Sequence, residues 1–163
     1  SVELGVTHVQ PVYSRHSVKP YDEQRVEKKT THWNNIIISA CEQSGRATVP
    51  ELGMPLSLTQ WLENAAGDRS DINKNPLAQR TDYILSPHAE NTLAAHLSTQ
   101  TRIPGSSALI IGPESGFDED EINGAIVTGV QSVQFGNRIL RTETAGPACV
   151  AVMQSILGDL RHV

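Results

Sequence analysis

Residues 108–121 read A-L-I-I-G-P-E-S-G-F-D-E-D-E, from Ala108 to Glu121, and the fold of the chain follows from them. Ala108-Leu109-Ile110-Ile111 is an uncharged apolar run that stops at Gly112-Pro113. Continuous apolar residues bounded by turn formers describe a strand covered on both faces, as in a parallel sheet. Asp118 with Glu121 three residues on is a helix-start signature, each side chain capping a free backbone N–H. The stretch therefore predicts a buried strand, a tight glycine-containing loop and a helix. Ligands of open α/β sheets bind at the carboxyl ends of the strands, which makes the loop a candidate ligand site. The same residues also fit a plain structural turn.

The charge of the loop narrows the ligand. A helix N-terminus attracts anions through its free N–H groups and the macrodipole. Here Glu114, Asp118, Glu119, Asp120 and Glu121 crowd that end, and no Lys-Ser or Lys-Thr follows, so the phosphate-loop pattern fails. A serine nucleophile elbow needs glycines at the positions of Pro113 and Phe117, and fails too. A neutral or cationic ligand that hydrogen-bonds to backbone is the expectation.

The bulk of the chain sets bounds around that site. Its 163 residues suffice for one domain with a sizeable core. A formal net charge of −5 argues against a surface devoted to gripping nucleic acid backbone, though a local basic patch is compatible with it. Mean hydropathy is −0.29 and no apolar run is long enough to span a bilayer. With no signal-peptide pattern, the expected location is the cytoplasm. Cys41 and Cys149 lie far apart in apolar helical patterns and read as buried free thiols. The six histidines show no ligand spacing, so no metal is expected.

Outward from the opening stretch, the chain reads as alternating strands and helices. Ser1-Val2-Glu3-Leu4-Gly5 looks like a last helical turn ended by glycine, which predicts further sequence before it. Val6–Tyr13 is a strand interrupted at Pro11, and Ser14-Arg15-His16-Ser17 a polar loop at its end. Asp22–Glu42 is one long helix, with Val26, Trp33, Ile36, Ile37, Ala40 and Cys41 on its inner face and Gly45 at its end. Val49–Pro55 reads as extended linker, Leu58–Ala66 as a short helix, and Gly67–Arg80 as a polar surface loop. Asp82–Ser86 is a short buried strand halted by Pro87, and Asn91–Leu97 one or two helical turns. After the acidic helix Glu119–Thr128, Val130–Phe135 is another strand. The final helix is expected to start at Thr144 as N-cap, which would place Pro147 at N3, where no intrahelical N–H is needed.

Between that last strand and last helix lies a second dense stretch, Gly136-Asn137-Arg138-Ile139-Leu140-Arg141-Thr142-Glu143-Thr144-Ala145. Strand-G-P-E-S-G-F followed about twenty residues later by F-G-N-R-I-L-R-T-E-T-A resembles the RsmE family of SPOUT-class methyltransferases, which methylate N3 of a uridine in small-subunit ribosomal RNA. The family pattern is G-P-E-G-G and then L-G-x-R-I-L-R-x-E-T-A. The opening S-V-E-L-G-V, the S-R-H-S loop and A-C-E-Q-S-G-R at Ala40–Arg46 are similar to family signatures as well, so the resemblance runs from residue 1 to Leu160. Ser115 departs from the pattern by replacing a glycine. It requires backbone angles open to a residue with a Cβ, or strain, and puts cofactor affinity in question.

The resemblance implies an α/β fold with a mostly parallel sheet flanked by helices and a C-terminal deep trefoil knot. It implies S-adenosylmethionine as cofactor, a homodimer, and 16S ribosomal RNA of the small subunit as partner, with no membrane. It also implies that residues 1–163 are the catalytic SPOUT domain, lacking a first strand and an N-terminal RNA-binding domain like the PUA fold. The cofactor would contact Leu85, Ser86, Pro87, Ile111, Gly112, Pro113, Glu114, Ser115, Gly116, Phe135, Gly136, Ile139, Leu140, Arg141 and Thr142. Its cationic sulfonium suits the acidic loop. Methyl transfer to a uridine imide develops negative charge, which Arg141 would stabilise, with Arg138 second. Arg138 equally reads as a surface or phosphate-contacting arginine. Glu143 or Glu114 would act as base or orient Arg141, unless they are only helix-end charges. Arg15, Gln43 and Arg46 would contact RNA. Other readings stay open: a transfer-RNA SPOUT enzyme, a catalytically silent RNA-binding relative, or an unrelated α/β nucleotide-binding protein.

Overall fold

The computed structural model describes residues 1–17, 22–70, 80–100 and 104–161. After a 3-10 turn at Val2–Leu4 come β1 (His8–Val9), β2 (Val12–Tyr13), α1 (Glu23–Ser44), β3 (Glu51–Leu52), β4 (Leu56–Ser57) and α2 (Leu58–Ser70). Then follow β5 (Arg80–Leu85), α3 (Leu93–Ser98), β6 (Ser106–Ile110), α4 (Glu119–Val127), β7 (Gln131–Val133), α5 (Thr142–Ile156) and a 3-10 turn at Asp159–Arg161. Among the described residues every strand pair is parallel: β1 with β3, β2 with β4, and the sheet β6-β5-β7. β5 is central, with Tyr83 registered against Leu109 on one side and Gln131 on the other.

Alternation along these strands separates two apolar layers. Ile84 and Ile110 pack with Leu58 and Leu62 of α2, Ala125 of α4 and Val130. Tyr83 and Val133 pack with Leu93 and Leu97 of α3 and Cys149 of α5, with Leu85 and Leu109 against them. Helices thus cover both faces, which is why Ala108–Ile110 of β6 can be apolar without interruption. Each fully buried Leu or Ile contributes about 1.5–3 kcal/mol by leaving water.

One charge lies inside this core. Asp82 is fully buried; its carboxylate accepts from Arg80 Nε at 2.9 and 3.0 Å and from the Ala108 N–H at 3.0 Å. A buried carboxylate is costly unless paired, and this pairing ties β5 to β6 at the foot of the sheet.

Several local expectations are corrected. Val49–Pro55 is not plain linker: Glu51–Leu52 and Leu56 pair with strands some forty residues earlier, and such non-local pairing leaves no mark on local composition. Across the break at Pro11, which has no N–H to give, the Gln10 amide donates to Pro11 O at 3.0 Å and to Met54 O at 2.7 Å. α2 continues through Gly67 to Ser70 instead of ending at Ala66, and residues 71–79 of the expected loop lie outside the described residues. Ile36 is half exposed, because the inner stripe of α1 is centred on Ile37 and Cys41 and a neighbouring residue lies about 100° round the helix. The N-cap of α5 is Arg141, not Thr144. Its carbonyl accepts from both Thr144 N and Ala145 N, so Pro147 falls inside the helix.

No helix among the described residues is long and apolar enough to cross a membrane.

Candidate functional site

Because β5, β6 and β7 are parallel, their carboxyl ends share one edge, and the three loops leaving them wall a single cleft of about 740 Å³. The first wall is Leu85, Ser86, Pro87 and His88. Ser86 is buried; its N–H donates to Val133 O at 2.9 Å and its Oγ accepts from His88 N at 3.3 Å. The Gln134 amide donates to Ala89 O at 2.8 Å, tying this wall to the end of β7.

The second wall is Ile111 to Phe117. A turn closes it, with Gly116 N–H donating to Pro113 O at 2.8 Å and Gly116 at φ +75°, where a side chain would be strained. Gly112 lies so close to the Phe117 ring that a Cβ there would be 3.1 Å from it. Ser115 carries no strain, since among the described residues only glycines have positive φ. The left-handed step belongs to Gly116, and Ser115 stands exposed beside it.

α4 then starts with the capping box expected from Asp118 and Glu121, their reciprocal bonds being 2.8 and 3.1 Å. Most of the acidity is turned away from the cleft. Arg15 Nη1 donates to Asp118 Oδ2 at 3.0 Å and to Asp120 Oδ2 at 3.1 Å, and the Arg15 backbone N–H donates to Glu121 Oε1 at 2.7 Å. The hydrogen bond from Glu121 N and the nearby Arg15 charge hold the Asp118 carboxyl below its ordinary range, while the two carboxylates raise Arg15. Of the five acidic residues, only Glu114 lines the cleft.

The third wall is Gln134, Phe135, Gly136, Arg138, Ile139, Leu140, Arg141 and Thr142, with Ala145 of α5 behind it. Thr142 Oγ1 donates to Gly112 O at 3.2 Å and so joins the second and third walls. Ile139 is 87% exposed and the Arg141 side chain 84% exposed.

All fifteen residues expected around a cofactor therefore line one cleft, together with Arg138. Glu143 does not; it is exposed on the first turn of α5, 3.9 Å from Arg141, where it can orient that arginine but borders no part of the cleft. Arg46 is committed inside the chain, its Nη1 donating to Val2 O at 2.6 Å and Val6 O at 2.8 Å. Arg15 is held by the carboxylates of α4, and Gln43 is exposed near the end of α1. Sequence reading missed His88, Phe117, Ile122, Gln134 and Ala145 as lining residues. Gln134 had a signal: it is the polar interruption of an otherwise apolar strand end. No metal-binding group of three or more His, Cys, Asp or Glu exists among the described residues.

A parallel sheet with a cleft built from three strand-end loops is the architecture of a nucleotide-type cofactor domain. The chain belongs to the RNA methyltransferase domain family, whose model matches residues 1–154. It is 34% identical over 163 residues to ribosomal RNA small subunit methyltransferase E of Buchnera aphidicola from Schizaphis graminum, covering 98% of this chain and 59% of that protein. To the protein of the same name from a Synechocystis strain it is 32% identical over 157 residues, covering 95% and 46%. The crystal structure of ribosomal RNA small subunit methyltransferase E from Neisseria gonorrhoeae, bound to S-adenosyl methionine, superposes with a TM-score of 0.79 at 37% identity, covering 97% of this chain and 58% of that one. The chain spans less than three fifths of the length of these relatives.

Proposed function

We propose that this chain is the catalytic domain of an enzyme that uses S-adenosylmethionine to methylate N3 of a uridine in 16S ribosomal RNA. The observation that carries the reading is the cleft formed by Gly112–Gly116 and Gly136–Thr142, two loops whose residues match the pattern of one family. Its volume of about 740 Å³ is in the range of cofactor sites. The donor set fits the group: Leu85, Ile111, Phe135 and Leu140 offer an apolar slot for an adenine, and Glu114 is a carboxylate for a cation. When bound, the cofactor supplies a methyl group on a sulfonium, ready for in-line displacement.

The protein's part is position and charge. Arg141, exposed at the lip of the cleft and with no closer ion pair among the described residues than Glu143 at 3.9 Å, stabilises the uridine imidate. Arg138, in the same loop, is its second or a contact to the RNA backbone. Glu114 serves as base or as partner of the cation. Glu143 acts through Arg141. Gln43 and Arg15 contact RNA, and Arg46 keeps the N-terminal turn in place. The protein works as a cytoplasmic homodimer on the small ribosomal subunit, its carboxyl-terminal segment threaded as a trefoil knot, with the RNA-binding domain of its longer relatives supplying most of the grip.

Titration calorimetry with S-adenosylmethionine tests the cofactor, and the expected outcome is one saturable site per chain. A folded chain that gives no heat removes the enzyme reading. Mass mapping of ribosomal RNA from cells lacking the gene tests the substrate. An unchanged level of N3-methyluridine in the small subunit excludes it.

A further inference from the structure

The Glu121 carboxylate has two partners on two different segments. Oε2 accepts the Asp118 N–H at 3.1 Å, completing the cap of α4, while Oε1 accepts the Arg15 N–H at 2.7 Å from a loop more than a hundred residues earlier. Asp118 directly follows Phe117, whose ring lies on Gly112, so the cap is the carboxyl-side anchor of the second wall. The Ser14–Ser17 loop has its own closure, with Ser14 N–H donating to Ser17 Oγ at 3.0 Å and the two hydroxyls 2.8 Å apart. Two small closed loops, one at the end of β2 and one at the cleft, are therefore joined by the Glu121 carboxylate, beside the exposed ion pairs of Arg15 with Asp118 and Asp120.

We propose that Glu121 is a positioning residue, which fixes the cleft loop Gly112–Phe117 by bridging the α4 cap to the Ser14–Ser17 loop. The inference rests on the cofactor reading only for its functional consequence; the mechanical coupling stands on the geometry. Reciprocity follows: whatever engages the Ser14–Ser17 loop changes affinity at the cleft, and filling the cleft changes affinity at that loop by the same factor. A phosphate of the substrate RNA meeting Arg15 is the kind of partner that fits, because it would compete with Asp118 and Asp120 for the guanidinium.

Glu121→Gln separates bridge from cap. A glutamine at this helix position still completes a capping box with one oxygen, but presents an amide, not a carboxylate, to the Arg15 N–H. The full chain is followed by hydrogen exchange and by calorimetry with S-adenosylmethionine. Expected are faster exchange over residues 112–118 and about tenfold weaker cofactor binding, with unchanged exchange in α4 and only a small fall in melting temperature. Arg15→Pro, which deletes the N–H donor from the other side together with the ion pairs of Arg15 to Asp118 and Asp120, is expected to raise the loop exchange at least as far. Wild-type exchange over 112–118 in both variants overturns the proposal. If exchange rises as expected but the unaltered chain binds no cofactor, the positioning stands and the cofactor reading falls.

Discussion

Gly112–Phe117 and Gly136–Leu140 wall the same cleft, yet they are held by different means. The first is closed by the Gly116–Pro113 hydrogen bond, packed by Phe117 on Gly112 and anchored by the capped helix behind it. The second has no hydrogen bond to other described residues along Gly136–Leu140; its restraints are the apolar Phe135 before it and the Arg141 cap and Thr142 tie after it. One wall is closed on itself, and the other is held only at its two ends. Any ligand that immobilised the exposed Ile139 or Arg141 would meet a cost of about 0.5–1.5 kcal/mol for each long side chain. It is also the wall that carries Arg138 and Arg141, the two arginines lining the cleft among the described residues.

Four substitutions probe that contrast. The largest effect belongs to the open wall. Arg141→Ala is expected to lower single-turnover methyl transfer by at least about 10²-fold while cofactor affinity holds. Loss of both would mean that Arg141 shapes the pocket and does not serve the reaction. Next comes the shaped wall: Gly116→Val forces a β-branched residue to φ +75°, costing about 1–2 kcal/mol, and calorimetry should show roughly tenfold weaker cofactor binding.

Thr142→Val removes the tie between the walls, about 1 kcal/mol, for a several-fold rise in Kd that Thr142→Ser should restore. The smallest effect is on stability in acid. Asp118 titrates below its ordinary 3.8 in the folded chain, so its contribution is complete above that value and is lost as pH falls through the depressed one. Urea midpoints between pH 5 and 2 should therefore decline less in Asp118→Asn than in the unaltered chain.

The parts of the molecule written in local signals were readable before any coordinates. Ala108–Ile111 suggested a strand covered on both faces, found as the end of β6, and Asp118 with Glu121 signalled the start of α4; both rest on periodicity and capping, which act within a few residues. That two loops would share a cleft was legible because strand-end loops in a parallel sheet converge on one edge, while the individual lining residues came from the family resemblance. What stayed hidden depends on distant partners. β3 and β4 exist through pairing with β1 and β2, and Arg46, expected to contact RNA, is taken up by the carbonyls of Val2 and Val6 some forty residues earlier. The acidic loop was misjudged in the same way: Arg15, a hundred residues away, takes up Asp118 and Asp120, leaving Glu114 alone to face a ligand.

The first turn of the chain offers a mechanical consequence. Val2–Leu4 is gripped from two sides, by Arg46 through Val2 O and by Gln154 of α5, whose amide donates to Leu4 O at 2.9 Å. One grip comes from just beyond the end of α1 and the other from α5. A force applied at residue 1 and at the carboxyl terminus therefore loads this clasp before it reaches the central sheet. In a single-molecule pulling experiment the clasp would yield first as a short, low-force extension, with the strands behind it still unsheared.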